Sequence, residues 1–561
     1  MGSLTRTMAW AAALLCSLDT VLATAASPPE HLQRLLKKQL PAEPTGVKTI
    51  TSPDGTTIRY KQPELEGVCE TTPGVNSYSG YVDLDEHTHM FFWFFEARHN
   101  PDEAPITLWL NGGPGSDSMI GLFEELGPCN VTHNGTAVVN PYAWNEVSNL
   151  LFLSQPLGVG FSYEDKVEGV MNESTGFPQS SSTPDGRYSS VDPYRFDTTD
   201  LAAAGTWAVL QGLIQELPTL DETVKSRSFN LWTESYGGHY GPAFYRYFYE
   251  QNEAIKNGTA KGVELSMHTL GIINGIISER IQAPYYPEMA YKNTYGIEAV
   301  NETIYNYMKM NYYFDSACRD SIDYCFEQDR STPDGKAVCS QATAICRSLV
   351  EGPYYVVSGR NPYDIRAMAD ADIPPEYWVE YLNTPRIQNA LGVDINYTST
   401  SSSQIYTGFD YTGDFVYPNL KEDLEAILDY GVRIAMIYGD ADYICNWFGG
   451  QAVSLEVNYT HSAEFATAGY APFVVDGTEY GESRQYGNFS FTRVYESGHE
   501  VPYYQPKAAL ELFRRVLGNL VVSDGSEQVT PTYKSNGTAQ ATHTNSYSTW
   551  FTGRPGDWKK H

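Results

Sequence analysis

The chain has 561 residues, of which 42% are hydrophobic and 13% aromatic. It can therefore bury a sizeable core, as two or three average domains or one large α/β unit with insertions, and is not a disordered segment. A formal net charge of −31 excludes the basic surfaces that bind nucleic acid or anionic membranes.

The N-terminus, "MGSLTRTMAWAAALLCSLDTVLATAA", places Arg6 before an apolar run from Met8 to Leu18 and small residues at Ala23 and Ala25. That pattern reads as a signal peptide, residues 1–25, cleaved after Ala25 or Ala26. No later apolar run is long enough to span a bilayer. Residues 26–45 are polar and proline-bounded and read as a pro-segment or surface arm, with Lys37-Lys38 as a processing candidate. Strand-like runs follow: "TTIRYKQ", "YSGYVDLD", "HMFFWFFEAR", "ITLWLNGG" and "NLLFLSQPLGVGFSY". Residues 173–190 read as a low-complexity surface excursion. A helical pattern over 200–217 precedes the strand "SFNLWT" and then "ESYGGHYGP", where Pro242 is read as starting a helix. Strands alternating with helices imply a mostly parallel sheet, with residues 46–275 as the first part of its core.

Residues 276–375 interrupt this alternation and read as a helical, disulfide-stapled insertion. Cys16 leaves with the signal peptide, so seven cysteines remain and one must be free. The outer spacings of Cys318, Cys325, Cys339 and Cys346 suit nested bridges, 318–346 around 325–339, while 318–325 with 339–346 stays open. Cys69 and Cys129 pair by elimination, leaving Cys445. The core resumes over 376–522 with the strands "VRIAMIY" and "FTRVYES" and a helix over 507–520. Residues 523–561 read as a flexible tail. Sequons at Asn130, Asn134, Asn172, Asn257, Asn301, Asn396, Asn458, Asn488 and Asn536 fit passage through a glycosylating secretory route, ending outside the cell or in a lytic compartment.

Serine needs an adjacent base, itself oriented by an acid, to become a nucleophile. In α/β hydrolases these follow successive strands in the order Ser, Asp or Glu, His. Here Ser235 follows "SFNLWT", Asp440 and Asp442 follow "VRIAMIY", and His499 follows "FTRVYES". The residues alone do not choose between Asp440, a candidate turn carboxylate, and Asp442. Thr233 stands where a nucleophile elbow, G-x-S-x-G, wants its first glycine. His239 is read as structural.

"LWLNGGPGSDSMIGLFEELGPC", "NPYAWNEVSNLLFLSQPLGVGFSY", "TESYGGHYGP", "GDADYICNWFGG" and "SGHEVPYYQP" together resemble the serine carboxypeptidase family, in register from about residue 65 to 520. The resemblance implies an α/β-hydrolase fold with an insertion (cap) domain, and release of C-terminal residues from peptides or proteins through an acyl-enzyme. It assigns Ser235 as nucleophile, His499 as base and then acid, Asp442 as the acid, and the Gly113 and Tyr236 N–H groups as oxyanion hole. It assigns Asn111, the Gly112 N–H, Glu125 and Glu234 to the substrate's α-carboxylate. Two glutamates can serve there only if at least one stays protonated, which implies tighter binding at acidic pH.

Glu500 departs from the more apolar residue of some relatives. Facing the pocket for the residue before the scissile bond, it would favour Lys or Arg. Ser116 replaces a cysteine that many relatives carry, and Cys445 matches the family's free thiol. No cofactor is expected, since neither metal-ligand spacing nor a phosphate-binding loop appears. The alternatives are an acyltransferase or esterase on the same scaffold, or a non-catalytic secreted binding protein. The oligomeric state is not legible.

Overall fold

The apolar runs that read as strands are buried on both sides, as the middle of a parallel sheet requires. All five residues of "ITLWL" and all seven of "RIAMIYG" are buried. The computed structural model describes residues 40–545 except 53, 54, 173, 399, 418 and 419. The expected signal peptide and Lys37-Lys38 lie outside the described residues.

Twelve strands form one sheet. They are β1 Lys48–Thr51, β2 Thr57–Lys61, β3 Ser77–Asp85, β4 Thr88–Phe95, β5 Ile106–Leu110, β6 Asn149–Leu153, β7 Ser228–Glu234, β8 Ser266–Ile273, β9 Arg433–Gly439, β10 Tyr470–Val475, β11 Thr478–Tyr486 and β12 Phe489–Val494. Their order is β1-β2-β3-β4-β6-β5-β7-β8-β9-β12-β11-β10. The six from β6 to β12 in that order pair in parallel, and the flanking strands pair antiparallel. Alternate side chains enter different cores. Leu108, Leu231 and Leu270 pack with helices α1 (Thr199–Leu220) and α2 (Gly237–Lys256). Trp109, Trp232 and Ile273 face the helix Pro506–Leu517, where Phe513 stacks on Trp144 at 4.0 Å. This is an α/β-hydrolase fold with a helical insertion.

Among the described residues, no strand of the large sheet lies between β8 and β9. Helices Glu302–Tyr313, Cys318–Phe326 and Pro333–Cys346 occupy the expected insertion. The bridges are Cys318–Cys346, Cys325–Cys339 and Cys69–Cys129, so the nested arrangement is the one formed. After the insertion, Trp378, Tyr381 and Ile387 join the core of Trp93 and Trp109, while Ile405, Phe409 and Leu424 join the insertion's side.

Three expectations change. The expected surface excursion contains regular structure: strands Asp165–Met171, Pro178–Ser180 and Gly186–Ser190 form a small sheet, tied down where Asp394 meets Lys166 at 2.6 Å and Arg187 at 3.1 Å. Helix α2 begins at Gly237, not Pro242, because Tyr236 already has helical dihedrals. The proline forfeits a single hydrogen bond, the one to the Gly238 carbonyl. The tail is ordered through Asn545. Thr538 bridges to Tyr470 and Lys534 to Tyr486, Arg484 donates to the Ala539 carbonyl at 2.8 Å, and fully buried Arg493 donates to the His543 carbonyl at 3.0 Å. Composition hides such a strap because its partners are the backbone and arginine side chains of a distant sheet edge.

Of the sequons, Asn134, Asn257, Asn301, Asn458 and Asn536 are exposed. Asn130 and Asn488 are half-buried, with their amide nitrogens donating inward to the Phe123 and Val432 carbonyls.

Ending the chain after Val522 strips acceptors from two buried arginines, each hydrogen bond to a charged group contributing about 1.5–3 kcal/mol. The thermal midpoint of that truncation, read by calorimetry, falls by several degrees relative to a chain ending at Asn545.

Candidate active site

The candidate triad and Asn111 lie at or beyond the C-terminal ends of parallel strands, where open α/β sheets gather their ligands, while Glu125 ends the short helix Gly121–Glu125. Asn111 follows β5, Ser235 follows β7, Asp440 and Asp442 follow β9, and His499 lies in the turn after β12. Ser235 has φ 63°, the left-handed region that costs a non-glycine residue strain and lifts its side chain off the strand line. The turn is held by Ser235 N–H donating to the Ile273 carbonyl at 3.0 Å and Ile276 N–H donating to the Ser235 carbonyl at 2.9 Å.

Thr233 is accommodated in this elbow by what faces it. A Cβ on Gly237 would sit 2.6 Å from Thr233 Cβ, and one on Gly241 2.9 Å from its Oγ1. With both absent, the Thr233 hydroxyl donates to the Gly237 carbonyl at 2.7 Å. The glycine has in effect moved from the strand to the helix.

His499 Nδ1 lies 2.7 Å from Asp442 Oδ2. Asp442 is fully buried, and Asn274 donates to the same Oδ2 at 2.7 Å while accepting from Gly439 N–H at 3.0 Å. Asn274 was not visible in the sequence. A lone asparagine after a strand carries no signal until the strand order sets β8 beside β9. Asp440 takes the structural place: it accepts from Tyr295 at 2.5 Å, from Asn545 at 2.7 Å and from Arg493 at 3.2 Å. The Tyr363 ring lies over His499, centroids 5.0 Å apart. Cys445 is buried and unbridged; its thiol adjoins the Ser235 hydroxyl, and burial, with Asp442 close by, pushes the thiol well above its ordinary range. Among the described residues, one group has ligand atoms close enough for a metal, Asp442, Cys445 and His499, all within 4.8 Å of each other. An ion there would take the place of the Asp442–His499 hydrogen bond. His239 is buried against the Ile276 and Phe415 carbonyls, in keeping with a structural role.

Gly113 has φ 110° in the turn facing the nucleophile. A Cβ on Gly112 would come within 2.2 Å of Tyr236 N, so backbone packs directly on the second oxyanion candidate. Asn111 has one possible orientation. Its Oδ1 accepts from Trp109 Nε1 at 2.7 Å and Gly121 N–H at 2.9 Å, and its Nδ2 donates to Glu234 at 3.1 Å and Glu125 at 3.4 Å. Both glutamates are 2% exposed, and their carboxyls meet each other as well as Asn111. Burial pushes Glu125 up to about 7, against the pull of hydrogen bonds from Glu234 and Asn111. Burial, then the neighbouring Glu125 and Glu500 charges, push Glu234 well above the usual carboxyl range.

Glu500 stands on the same side. Its carboxyl meets that of Glu124, and burial, then Glu124 and Glu125, raise it well above the ordinary value. Glu124, also missed in the sequence, accepts from Trp378 Nε1 at 2.5 Å and is raised first by burial. Ser116 hydrogen-bonds Ser401 across 2.7 Å where a bridge was absent.

The family model described as serine carboxypeptidase matches residues 63–519. The chain is 41% identical over 533 residues to carboxypeptidase S1 homolog B of Arthroderma otae, covering 88% of this chain and 80% of that protein. It is 37% identical over 458 residues to carboxypeptidase S1 of Penicillium janthinellum, covering 82% of this chain and 98% of that one. Among solved structures it resembles Kex1, a prohormone-processing carboxypeptidase of Saccharomyces cerevisiae, with a TM-score of 0.60 and 21% identity over 80% of this chain and 92% of that one. That last likeness speaks to the fold.

Gly237→Ala forces its new methyl into Thr233 and lowers both thermal midpoint and activity, overpacking of this kind costing about 1–3 kcal/mol. Adding Thr233→Gly to Gly237→Ala recovers part of both losses; a double variant no better than the single one contradicts this account of the elbow.

Proposed function

This chain belongs to the serine carboxypeptidase family, and on that premise we propose that it removes single C-terminal residues from peptides with Ser235 as nucleophile. The observation that carries this reading is the buried set beside the nucleophile turn in which the Asn111 amide donates to both Glu125 and Glu234. A plain esterase has no use for it.

Ser235 Oγ attacks the scissile carbonyl carbon while His499 takes its proton, and Asp442, steadied by Asn274, holds the imidazole through Nδ1. The Gly113 and Tyr236 N–H groups receive the developing oxyanion. His499 returns the proton to the departing amine, and water then repeats the sequence on the acyl-enzyme. The leaving residue's carboxylate receives N–H from Asn111 and Gly112 and O–H from a protonated Glu125 or Glu234.

The substrate carboxylate is ionised throughout the working range, so the sign of the pH effect comes from the enzyme. Below about 7 Glu125 carries its proton, and Glu234, held well above the usual carboxyl range by burial and then by the Glu125 and Glu500 charges, keeps its own and donates. As pH rises through that value Glu125 ionises and the set gains a charge that repels the ligand. KM for blocked dipeptides therefore rises on going from pH 6 to 8, and C-terminal amides are poor substrates at every pH. Glu125→Gln, which donates without titrating, flattens the rise. A KM flat over this range, or a pH dependence unchanged in Glu125→Gln, overturns the assignment.

Glu500 and Glu124 share their wall with Glu125, which supports their facing the side chain of the leaving residue, in place of the residue before the scissile bond. When a cation enters, a neutral acid pair loses one proton to solvent and keeps an ion pair in low dielectric. Glu500→Met then lowers kcat/KM for C-terminal Lys and Arg relative to Leu by about tenfold, roughly 1.4 kcal/mol. If preference shifts with the penultimate residue and not the last, the first expectation for Glu500 is restored. Delivery outside the cell or to a lytic compartment fits the N-terminal pattern, and fractionation of the native host's secretions decides between them.

A further inference from the structure

Asp414 belongs to none of the sequence motifs, lies beyond the insertion, and is 1% exposed. Four donors converge on its carboxylate from three parts of the molecule. Oδ2 accepts from Tyr236 Oη at 2.7 Å and Thr199 Oγ1 at 2.5 Å. Oδ1 accepts from Thr199 N–H at 3.2 Å and Arg330 Nη1 at 3.4 Å. Tyr236 follows the nucleophile, Thr199 opens helix α1, and Arg330 comes from the disulfide-stapled insertion.

The Tyr236 side chain has no freedom left. It is fully buried, its ring stacks on His239 with centroids 4.2 Å apart, and Phe415 flanks it at 6.0 Å. On the backbone side, Gly112 packs so close to Tyr236 N that a Cβ there would lie 2.2 Å away. The residue whose N–H must aim at the oxyanion is thus held at its ring tip by Asp414 and at its amide by a glycine. Oxyanion stabilisation depends on donors aimed in advance at the transition-state oxygen, with tolerances of a few tenths of an ångström.

We propose that Asp414 is a positioning residue for the oxyanion hole: through the Tyr236 phenol it fixes the direction of the Tyr236 N–H, and through Arg330 it makes that direction depend on the seating of the insertion. The inference rests on Tyr236 N–H being an oxyanion donor. The plainer role, an acceptor for the first N–H of helix α1, is met by Asp414 equally well, but it gives no reason for the tyrosine hydroxyl to be there. It also predicts only a loss of stability.

Tyr236→Phe separates the two, since it cuts the tether and leaves the Asp414–Thr199 bonds in place. Each variant is measured for kcat and KM on a blocked dipeptide. Affinity is measured for a peptide boronic acid, whose serine adduct puts an oxygen in the hole, and for a non-cleavable peptide acid, which does not. Tyr236→Phe and Asp414→Ala are expected to lower kcat and boronate affinity together by about tenfold, with KM and peptide-acid affinity held within about twofold. Asp414→Asn, which keeps an acceptor for the phenol, recovers most of the loss. Arg330→Gln shows the same signature at smaller size. Should Asp414→Ala fail to fold, Tyr236→Phe alone decides. A Tyr236→Phe loss under about threefold, or one shared equally by the peptide acid, overturns the proposal. If the boronate binds the unmodified enzyme no better than the peptide acid, it is the underlying assignment of the hole that has failed.

Discussion

Everything in this site depends on one strained residue. Ser235 sits at φ 63° between a strand and a helix, and its neighbours are chosen to let that turn close. Gly112 admits the Tyr236 amide, and Gly238 admits the Ile276 backbone, where a Cβ would stand 2.4 Å from the Ile276 carbonyl oxygen. Strain of about 1–3 kcal/mol persists only where the surroundings over-determine it. Here two backbone hydrogen bonds and the parallel pairing of β7 with β5 and β8 supply that surplus. The same pairing brings Asn111 from β5 and Asn274 from β8 to either side of the serine. The elbow thus fixes Ser235, the Asn111 amide and the Asn274 support of Asp442 in one arrangement, the one on which the proposed roles depend.

The second organising fact is the wall of carboxyl groups. Glu124, Glu125, Glu234 and Glu500 lie together, and all four are pushed up by burial before any charge effect is counted. Four ionised carboxylates in this space would repel one another and lack solvent. With protons retained, they become donors as well as acceptors, and Asn111 becomes the fixed point that orients two of them. Elsewhere the chain neutralises buried acid with cations: Arg493 serves Asp440 and Glu482, and Arg330 serves Asp414. Among the described residues, Glu125 and Glu234 have no such ion pair. Like Asp117 and Glu279, which are also buried and raised by desolvation, these carboxyls are neutralised by protons.

How much of this was legible follows from the kind of signal involved. Strands β5, β7 and β9 were readable because continuous apolar runs ending in glycine or polar turns have few other interpretations. The order Ser, Asp, His at strand ends was readable too, but the choice of Asp442 over Asp440 came from the family resemblance. The structure gives the reason for that choice: Asp440 is spent on Arg493, Tyr295 and the C-terminal strap. Asn274, Glu124 and Asp414 were invisible because each acts through a partner more than 100 residues away in sequence. The strap over 523–545 was misread for a related cause. Its sequence is polar and aperiodic, and its order comes from the exposed edge of β10 and β11 and from Arg484 and Arg493 beneath it. Composition reports what a segment can bury, not what backbone it can complete.

A carboxylate is more often met by arginine, whose charge is permanent and whose fork matches both oxygens. The use of carboxylic acids instead has a chemical consequence for an exopeptidase. The ligand recognised is present twice in each cycle, first as the substrate terminus and then as the free amino acid that must leave before water can attack. A permanent cation holds both with equal charge. A protonated acid offers one hydrogen bond whose strength depends on pH, and a proton lost to solvent turns attraction into repulsion. On the proposed reading Asn111 contributes geometry without charge, so a set of this kind recognises the terminus without trapping the product. The same logic explains why the set is buried. In water, glutamic acid would lose its proton well below neutrality; only the desolvated wall, with Glu125 pushed up to about 7, keeps the donor in place in mildly acidic surroundings.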